Sequence, residues 1–179
     1  MGCAEKRTFT KRRWILPLLL LQINILVFIP AVILYLTGYH WKANHPMLLT
    51  IGCVLLLCGM SLAVWTMWLF HSTGHGTAAP WDPPQNLIVA GPYRHVRNPM
   101  LTSVFILQAT EALLLNSWII LILLVVFVIA NTFYFPLVEE KSLERRFGDA
   151  YREYKRNVPR WVPRLRPWHR PGREDEAAV

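Results

Sequence analysis

Charged side chains are nearly missing from four long stretches of this sequence. Residues 14–36, 47–70, 99–115 and 118–138 contain a single ionisable acid or base among them, Glu111. Each stretch approaches or exceeds the ~20 apolar residues that span a bilayer. Hydrophobic residues make up 54% of the 179, which is high for a soluble domain, and they are gathered into these blocks. A soluble fold is therefore excluded, and the sequence predicts an all-α integral membrane protein. Cysteine is scarce too. Cys3, Cys53 and Cys58 set no disulfide framework, and the last two, five residues apart, fall on different faces of one helix. Histidine numbers only six, too few for a histidine-rich membrane di-iron centre. His71 and His75 have a metal-ligand spacing, but Gly74 and Gly76 interrupt the helix that this spacing needs.

What charge there is lies outside the blocks. Lys6, Arg7, Lys11, Arg12 and Arg13 precede the first, and eleven Lys or Arg follow the last, whereas the link between the first two blocks carries only Lys42. By the positive-inside rule both termini and the 71–98 loop are cytoplasmic, which needs an even number of crossings, here about four. The net charge of +8 thus reports topology and an anionic leaflet, with no nucleic acid implied. The first block exceeds the ~7–15-residue apolar region of a signal peptide and is read as a helix. The Met-Gly-Cys opening is not a myristoylation signal, because Lys6 stands where Ser or Thr is needed. One domain is expected over 1–179. It comprises a basic amino terminus at 1–13, two spans within 14–70, a second half at 71–165 built on a helical hairpin at 99–138, and a tail at 166–179.

Along the chain, Pro17, Gln22, Asn24 and Pro30 mark the first span as kinked and amide-bearing, suited to packing on another helix. Trp65, Trp68 and Phe70 close the second as an aromatic belt. The run Ala79-Pro-Trp-Asp-Pro-Pro84 is a stiff connector. Residues 91–100, Gly-Pro-Tyr-Arg-His-Val-Arg-Asn-Pro-Met, then combine a turn with a helix start in which Asn98 is the N-cap and Pro99 the first helical residue. Such a helix end favours an anionic group. Arg94 suits a snorkelling anchor on lipid phosphate. Glu111 near the far end of the third span is either a functional acid or a headgroup or helix partner. After Val138 the chain becomes a cytoplasmic amphipathic helix. Leu143, Phe147, Tyr151 and Tyr154 form its apolar stripe, and Glu139 lies one turn before Leu143 on the edge of that stripe. Trp161 and Trp168 among Arg160, Arg164, Arg166 and Arg170 suit a tail lying on an anionic leaflet. A hairpin at 99–138 returns the decapeptide and the Glu139-Glu140 pair to the same membrane face.

Taken in order, Asp82-Pro-Pro, Gly91-Pro-Tyr, Arg97-Asn-Pro, Glu139-Glu, Leu143, Phe147-Gly-Asp-Ala-Tyr151, Tyr154 and Val158-Pro-Arg resemble the isoprenylcysteine carboxyl methyltransferase and phospholipid methyltransferase superfamily. The likeness covers about half the chain, from Thr73 to Arg164. It implies a multi-span helical enzyme that uses S-adenosyl-L-methionine from the cytoplasmic side to methylate a lipophilic or prenylated acceptor drawn from the membrane. It also implies that Gln85, Asn86, Leu87 and Ile88 wall the cofactor, that Tyr93 packs against it, and that Asn98, Pro99, Met100 and Leu101 add contacts. Glu139 would bind a polar group of the cofactor, and Arg97 and Glu139 are the candidates for a catalytic part. An aromatic ring such as Tyr93 suits a sulfonium through cation–π attraction. Three positions depart from the family pattern. Leu101 replaces a Tyr, Ser103 replaces a Gly, and Phe135 stands where the isoprenylcysteine enzymes carry an Arg for the substrate carboxylate. A neutral or amine-bearing lipid or a small thiol therefore competes with a prenylcysteine carboxylate as acceptor, and a non-catalytic scaffold is the reading from another class.

Overall fold

A computed structural model describes residues 24–39, 45–75 and 84–170. The expectations for the basic amino terminus, Pro17, Gln22, Lys42, Gly76, the 79–83 part of the connector and the last residues of the tail lie outside them. A π-helical turn, Asn24–Phe28, runs into α1, Ile29–Leu36. Next come α2, Pro46–Ser72, and a 3₁₀ turn, Gly91–Arg94. The hairpin is α3, Pro99–Leu114, and α4, Trp118–Tyr134. A second π turn, Phe135–Glu139, leads to α5, Glu140–Phe147, and α6, Asp149–Asn157. Among the described residues the regular structure is helical throughout, with no strand.

Helices α2 and α3 form the largest interface. The α2 side of it is made of small residues: Gly52, Gly59, Ala63 and Thr66 are buried, with Leu69 below them. A Cβ on Gly52 would collide with the Leu114 side chain, and one on Gly59 would lie 2.9 Å from Leu107 Cδ2. As the α2 number rises by seven the α3 number falls by seven, so the two helices run antiparallel at close approach. In lipid, apolar burial does not drive helices together, and close backbone packing through small residues does. Ser103 is itself completely buried and donates from Oγ to the Met100 carbonyl at 2.6 Å. A small hydroxyl thus occupies this tight site with its hydrogen bond satisfied inside its own helix.

The hairpin turns at Asn116, whose φ of 49° is left-handed, a conformation that Asn tolerates better than most residues. The Tyr39 hydroxyl donates to the Leu115 carbonyl, which brings the end of α1 to this hairpin tip. Of the α4 residues only Ile120 is buried, while Leu121, Ile122, Val125, Val126, Ile129 and Phe133 are exposed. So broad an apolar surface suits hydrocarbon as its surroundings. Among the described residues two helical stretches are long and apolar enough to cross a membrane, Pro46–Ser72 and Trp118–Phe147. Helix α3 has 16 residues and is about 24 Å long, less than the ~30 Å hydrocarbon core. The described part of the first block is shorter still. The described residues are thus those of an α-helical membrane protein with two such helices among them, where the composition predicts about four over the whole chain.

The carboxy-terminal segment also differs from the single amphipathic helix expected. Pro136 has no N–H to give, and the chain answers with a π turn in which the Glu140 amide bonds to the Phe135 carbonyl five residues back. Gly148, at φ 55°, then breaks the helix into α5 and α6. The break folds the stripe back toward the decapeptide.

Replacing Gly59 by Val is expected to lower stability by about 1–3 kcal/mol, because the Leu107 and Ile106 side chains must move. A fall in the thermal midpoint of the detergent-solubilised protein measures it. An unchanged midpoint contradicts the close α2–α3 packing.

Candidate functional site

The decapeptide is held in a frame of three parts. Gly91, at φ 50°, starts the 3₁₀ turn, and a Cβ there would approach Trp65 Cζ2 of α2 to 3.0 Å. Glycine is needed at this point for both the dihedral and the space. The Tyr93 ring is packed against Leu69 and Ile88, with Phe70 edge-on at 6.0 Å. From the other side, the Tyr154 hydroxyl of α6 donates to the Tyr93 carbonyl at 2.7 Å. Burial pushes the Tyr93 phenol well above its ordinary range, and the neighbouring Tyr154 adds to this. Tyr154 is raised by burial as well, so both rings are neutral at cellular pH.

The loop before the turn is threaded between α2 and α6. Leu87 and Val89 face Tyr151, Tyr154 and Val158, whereas Ile88 faces Leu69 and Tyr93. That alternation is the period of extended chain. The loop is anchored at its start by Gly74, whose carbonyl accepts from the Gln85 and Asn86 amides at 2.8 and 3.3 Å. The side chains of Gln85 and Asn86 are exposed.

At the helix start the sequence reading holds in part. Pro99 is the first residue of α3, and the Asn98 carbonyl accepts from the Thr102 amide at 3.0 Å. The Asn98 side chain, however, makes no cap hydrogen bond. Its Nδ2 is buried without a partner, as are Arg97 Nε and Trp161 Nε1. Pro99 is buried, and Met100 and Leu101 are half-buried.

Arg97 is the centre of the charge arrangement. Its side chain is 9% exposed, and Nη1 donates to Glu140 Oε1 at 2.9 Å. Arg160 Nε donates to the same oxygen at 2.7 Å. Lys155 Nζ pairs with Glu140 Oε2 at 3.0 Å and with Glu144 Oε1 at 2.8 Å. Hydrogen bonds to Glu144 and then Glu140 raise the Lys155 pKa, so the amine stays charged. Glu140 is 3% exposed. The sequence pointed to Glu139 as the acid facing protein, but the second glutamate is the one that closes onto the decapeptide. The spacing held a signal for it, since Glu140 lies three residues before Leu143 and seven before Phe147, on the same helical face. Arg160 and Lys155 gave no such signal.

Glu139 is half-buried and feels the charge of Arg146. The Arg146 guanidinium donates to the Pro84 carbonyl and lies 5.2 Å over the Phe147 ring. Arg94, expected at lipid phosphate, instead donates through Nε to the Val89 carbonyl at 3.3 Å, and its Nη1 lies 3.3 Å from His169 Nε2. Phe135 belongs to an aromatic cluster with its ring 6.0 Å from Trp161, which in turn lies 5.6 Å from Phe105.

The phospholipid methyltransferase family matches this chain over residues 47–150, more than half its length. The chain belongs to that family. No curated protein and no solved structure matches it. Membership makes it a membrane methyltransferase of the isoprenylcysteine and phospholipid superfamily, acting on lipid-type substrates. The family match runs from the start of α2 into α6 and takes in Gly91-Pro-Tyr, Arg97-Asn-Pro and both glutamates. Tyr154, Lys155 and Arg160, which complete the frame around them, fall beyond it.

Replacing Glu140 by Ala leaves a nine-tenths-buried Arg97 without its carboxylate, and is expected to cost about 3–5 kcal/mol. Replacing Glu144 by Ala, where the Lys155 partner is solvent-accessible, is expected to cost under about 1 kcal/mol. Chemical denaturation of the two variants checks the order, and equal losses would remove Glu140 from its central place.

Proposed function

We propose that this protein transfers a methyl group from S-adenosyl-L-methionine to an amine-bearing or otherwise neutral lipid, at the cytoplasmic face of the membrane. The proposal includes four crossings, with both termini cytoplasmic and the α3–α4 hairpin bringing the site to that face. The observation that carries it is the junction at the start of α3. There the family's Arg-Asn-Pro element meets the post-hairpin acid, and the buried N–H donors Arg97 Nε and Asn98 Nδ2 are left without partners among the described residues. Buried donors left unsatisfied are costly, and a bound acceptor group offsets that cost.

These residues fit the cofactor's polar ends. Asn98, with the first amides of α3 around Pro99, Met100 and Leu101, would hold its carboxylate. Glu139 would pair with its ammonium or accept from its ribose hydroxyls. Gln85 and Asn86 present amides from the loop, and Leu87 and Ile88 give that loop its apolar anchoring. The Tyr93 ring is engaged with Phe70, Leu69 and Ile88, so its part would be to shape the wall, with the edge of the ring turned to the cofactor. When bound, the cofactor supplies an electrophilic methyl on a sulfonium sulfur. The chain's own contribution is to position the acceptor in line with that bond and to exclude water, which is where most of the acceleration of such a displacement lies. Arg97, already bound to Glu140, would add positive charge beside the acceptor's polar group.

Phe135 guides the choice of acceptor. An Arg at that position would suit a carboxylate, whereas here a ring stands against Trp161 and Phe105. An aromatic wall attracts an amine or ammonium in preference to an acid. A carboxylate acceptor of the isoprenylcysteine type and a small thiol are the remaining chemistries for the same site.

Titration of the folded, detergent-solubilised protein with S-adenosylhomocysteine by calorimetry is expected to show binding that weakens about ten-fold in Glu139→Gln, the loss of one charge-assisted hydrogen bond. Folded protein that does not bind overturns the enzyme reading in favour of a scaffold. Incubation with labelled S-adenosyl-L-methionine and total membrane lipid is expected to place the label on an amine-bearing lipid. Label on a carboxylate or a thiol overturns the acceptor.

A further inference from the structure

The segment that follows α6 is expected from sequence to rest on the membrane through its tryptophans. The structure assigns those rings elsewhere. Trp161 lies against Phe105 of α3 and Phe135 at the end of α4, and Trp168 lies 5.9 Å from Tyr154. Both are turned into the protein. The apolar residues turned out are Val162 and Leu165, which are 75% and 98% exposed. An almost fully exposed leucine and an exposed valine three residues before it, in a segment otherwise held in place, are apolar surface that the fold leaves uncovered.

The segment is firmly held. Arg97 N donates to the Pro159 carbonyl at 2.9 Å, Arg164 N to the His95 carbonyl at 3.0 Å, and Trp168 N to the Arg94 carbonyl at 3.0 Å. His95 Nδ1 lies 2.7 Å from the Arg164 carbonyl, and Arg164 Nη1 donates to the Asn157 carbonyl at 2.6 Å. Residues 159–168 are thus laced along the decapeptide at the ends of α3 and α4, where the bilayer surface lies in the proposed topology. Residues 156–170 contain Arg156, Arg160, Arg164, Arg166 and Arg170 and no acid. Arg160 is engaged by Glu140, whereas Arg156 and Arg166 are exposed.

We propose that residues 162–166 form a docking surface for the anionic lipid leaflet in which the protein sits. Val162 and Leu165 enter the headgroup–acyl boundary, and Arg166 pairs with lipid phosphate. Charge complementarity selects this occupant, since the stretch that carries Val162 and Leu165, residues 156–170, has five arginines and no acid. Because the segment is bonded to His95 and Arg97, docking it also steadies the decapeptide against the membrane. The reading rests on the topology proposed above and not on the methyl-transfer chemistry, so loss of cofactor binding would leave it standing.

The full chain, with Cys3, Cys53 and Cys58 replaced by Ser and Leu165 by Cys, is labelled with an environment-sensitive fluorophore and placed in lipid nanodiscs. In discs with roughly one third phosphatidylglycerol, emission is expected to shift to the blue and to be quenched by brominated acyl chains. Adding Arg166→Gln is expected to lower the docked-to-free ratio about five-fold. Val162→Cys, labelled in the same way, is expected to repeat the shift, which guards against a perturbation peculiar to Leu165. Emission that is the same in detergent, in neutral discs and in anionic discs overturns the proposal. A shift that depends on protein concentration and not on anionic lipid also overturns it, by assigning the surface to a second copy of the chain.

Discussion

A single carboxylate ties the working half of this protein together. Glu140 sits at the start of α5, buried, and its two oxygens meet cations from three places: Arg97 before α3, Lys155 on α6 and Arg160 after it. A charge removed from water is costly unless paired and hydrogen-bonded, and this one is satisfied only when those segments are together. The hairpin, the decapeptide and the carboxy-terminal helices therefore share one constraint. The Tyr154 hydroxyl on the Tyr93 carbonyl and the Arg97 amide on the Pro159 carbonyl close the same junction through neutral groups. Residues scattered from Tyr93 to Arg160 become one place in space by these means.

The membrane half works by different rules. Between α2 and α3 there is little charge and little gain from apolar burial, and the interface rests on Gly52 and Gly59 admitting leucines from α3. This antiparallel pair sets the position of α3's first turn relative to the end of α2. It thereby places Gly91 over Trp65 and Leu69. The lipid-facing side of α4 contributes no such contacts, which agrees with its broad exposed surface of Leu, Ile and Val. Polar clamping at one end and small-residue packing through the middle together define the site.

Much of this was legible in residue order. The uncharged blocks announced a helical membrane protein, and the ordered elements from Asp82 to Val158 announced a methyltransferase superfamily that the family match then showed. Pro99 opened its helix because its ring fixes φ, and Gly91 turned the chain because glycine takes a positive φ without strain. Other expectations depended on which way a side chain turns, and there residue order was weak. Arg94 was expected at lipid and instead holds the loop. Trp161 and Trp168 were expected on the leaflet and instead pack against Phe105 and Phe135 and against Tyr154. Asn98 was expected to cap its helix and keeps its amide free.

Sequence alone determined the class of the protein, the kind of solvent around its helices and the family of its chemistry, since each follows from composition or from spacing along one chain. Tertiary structure decided which glutamate reaches the decapeptide. Pro136 forces a π turn and Gly148 a second break, and each changes the phase of the helix face in a way that no uniform period of 3.6 residues can follow. It also supplied Arg160 and Lys155, because an ion pair across twenty or fifteen residues of folded-back chain depends on where that chain turns and leaves no periodic trace in the order of its residues.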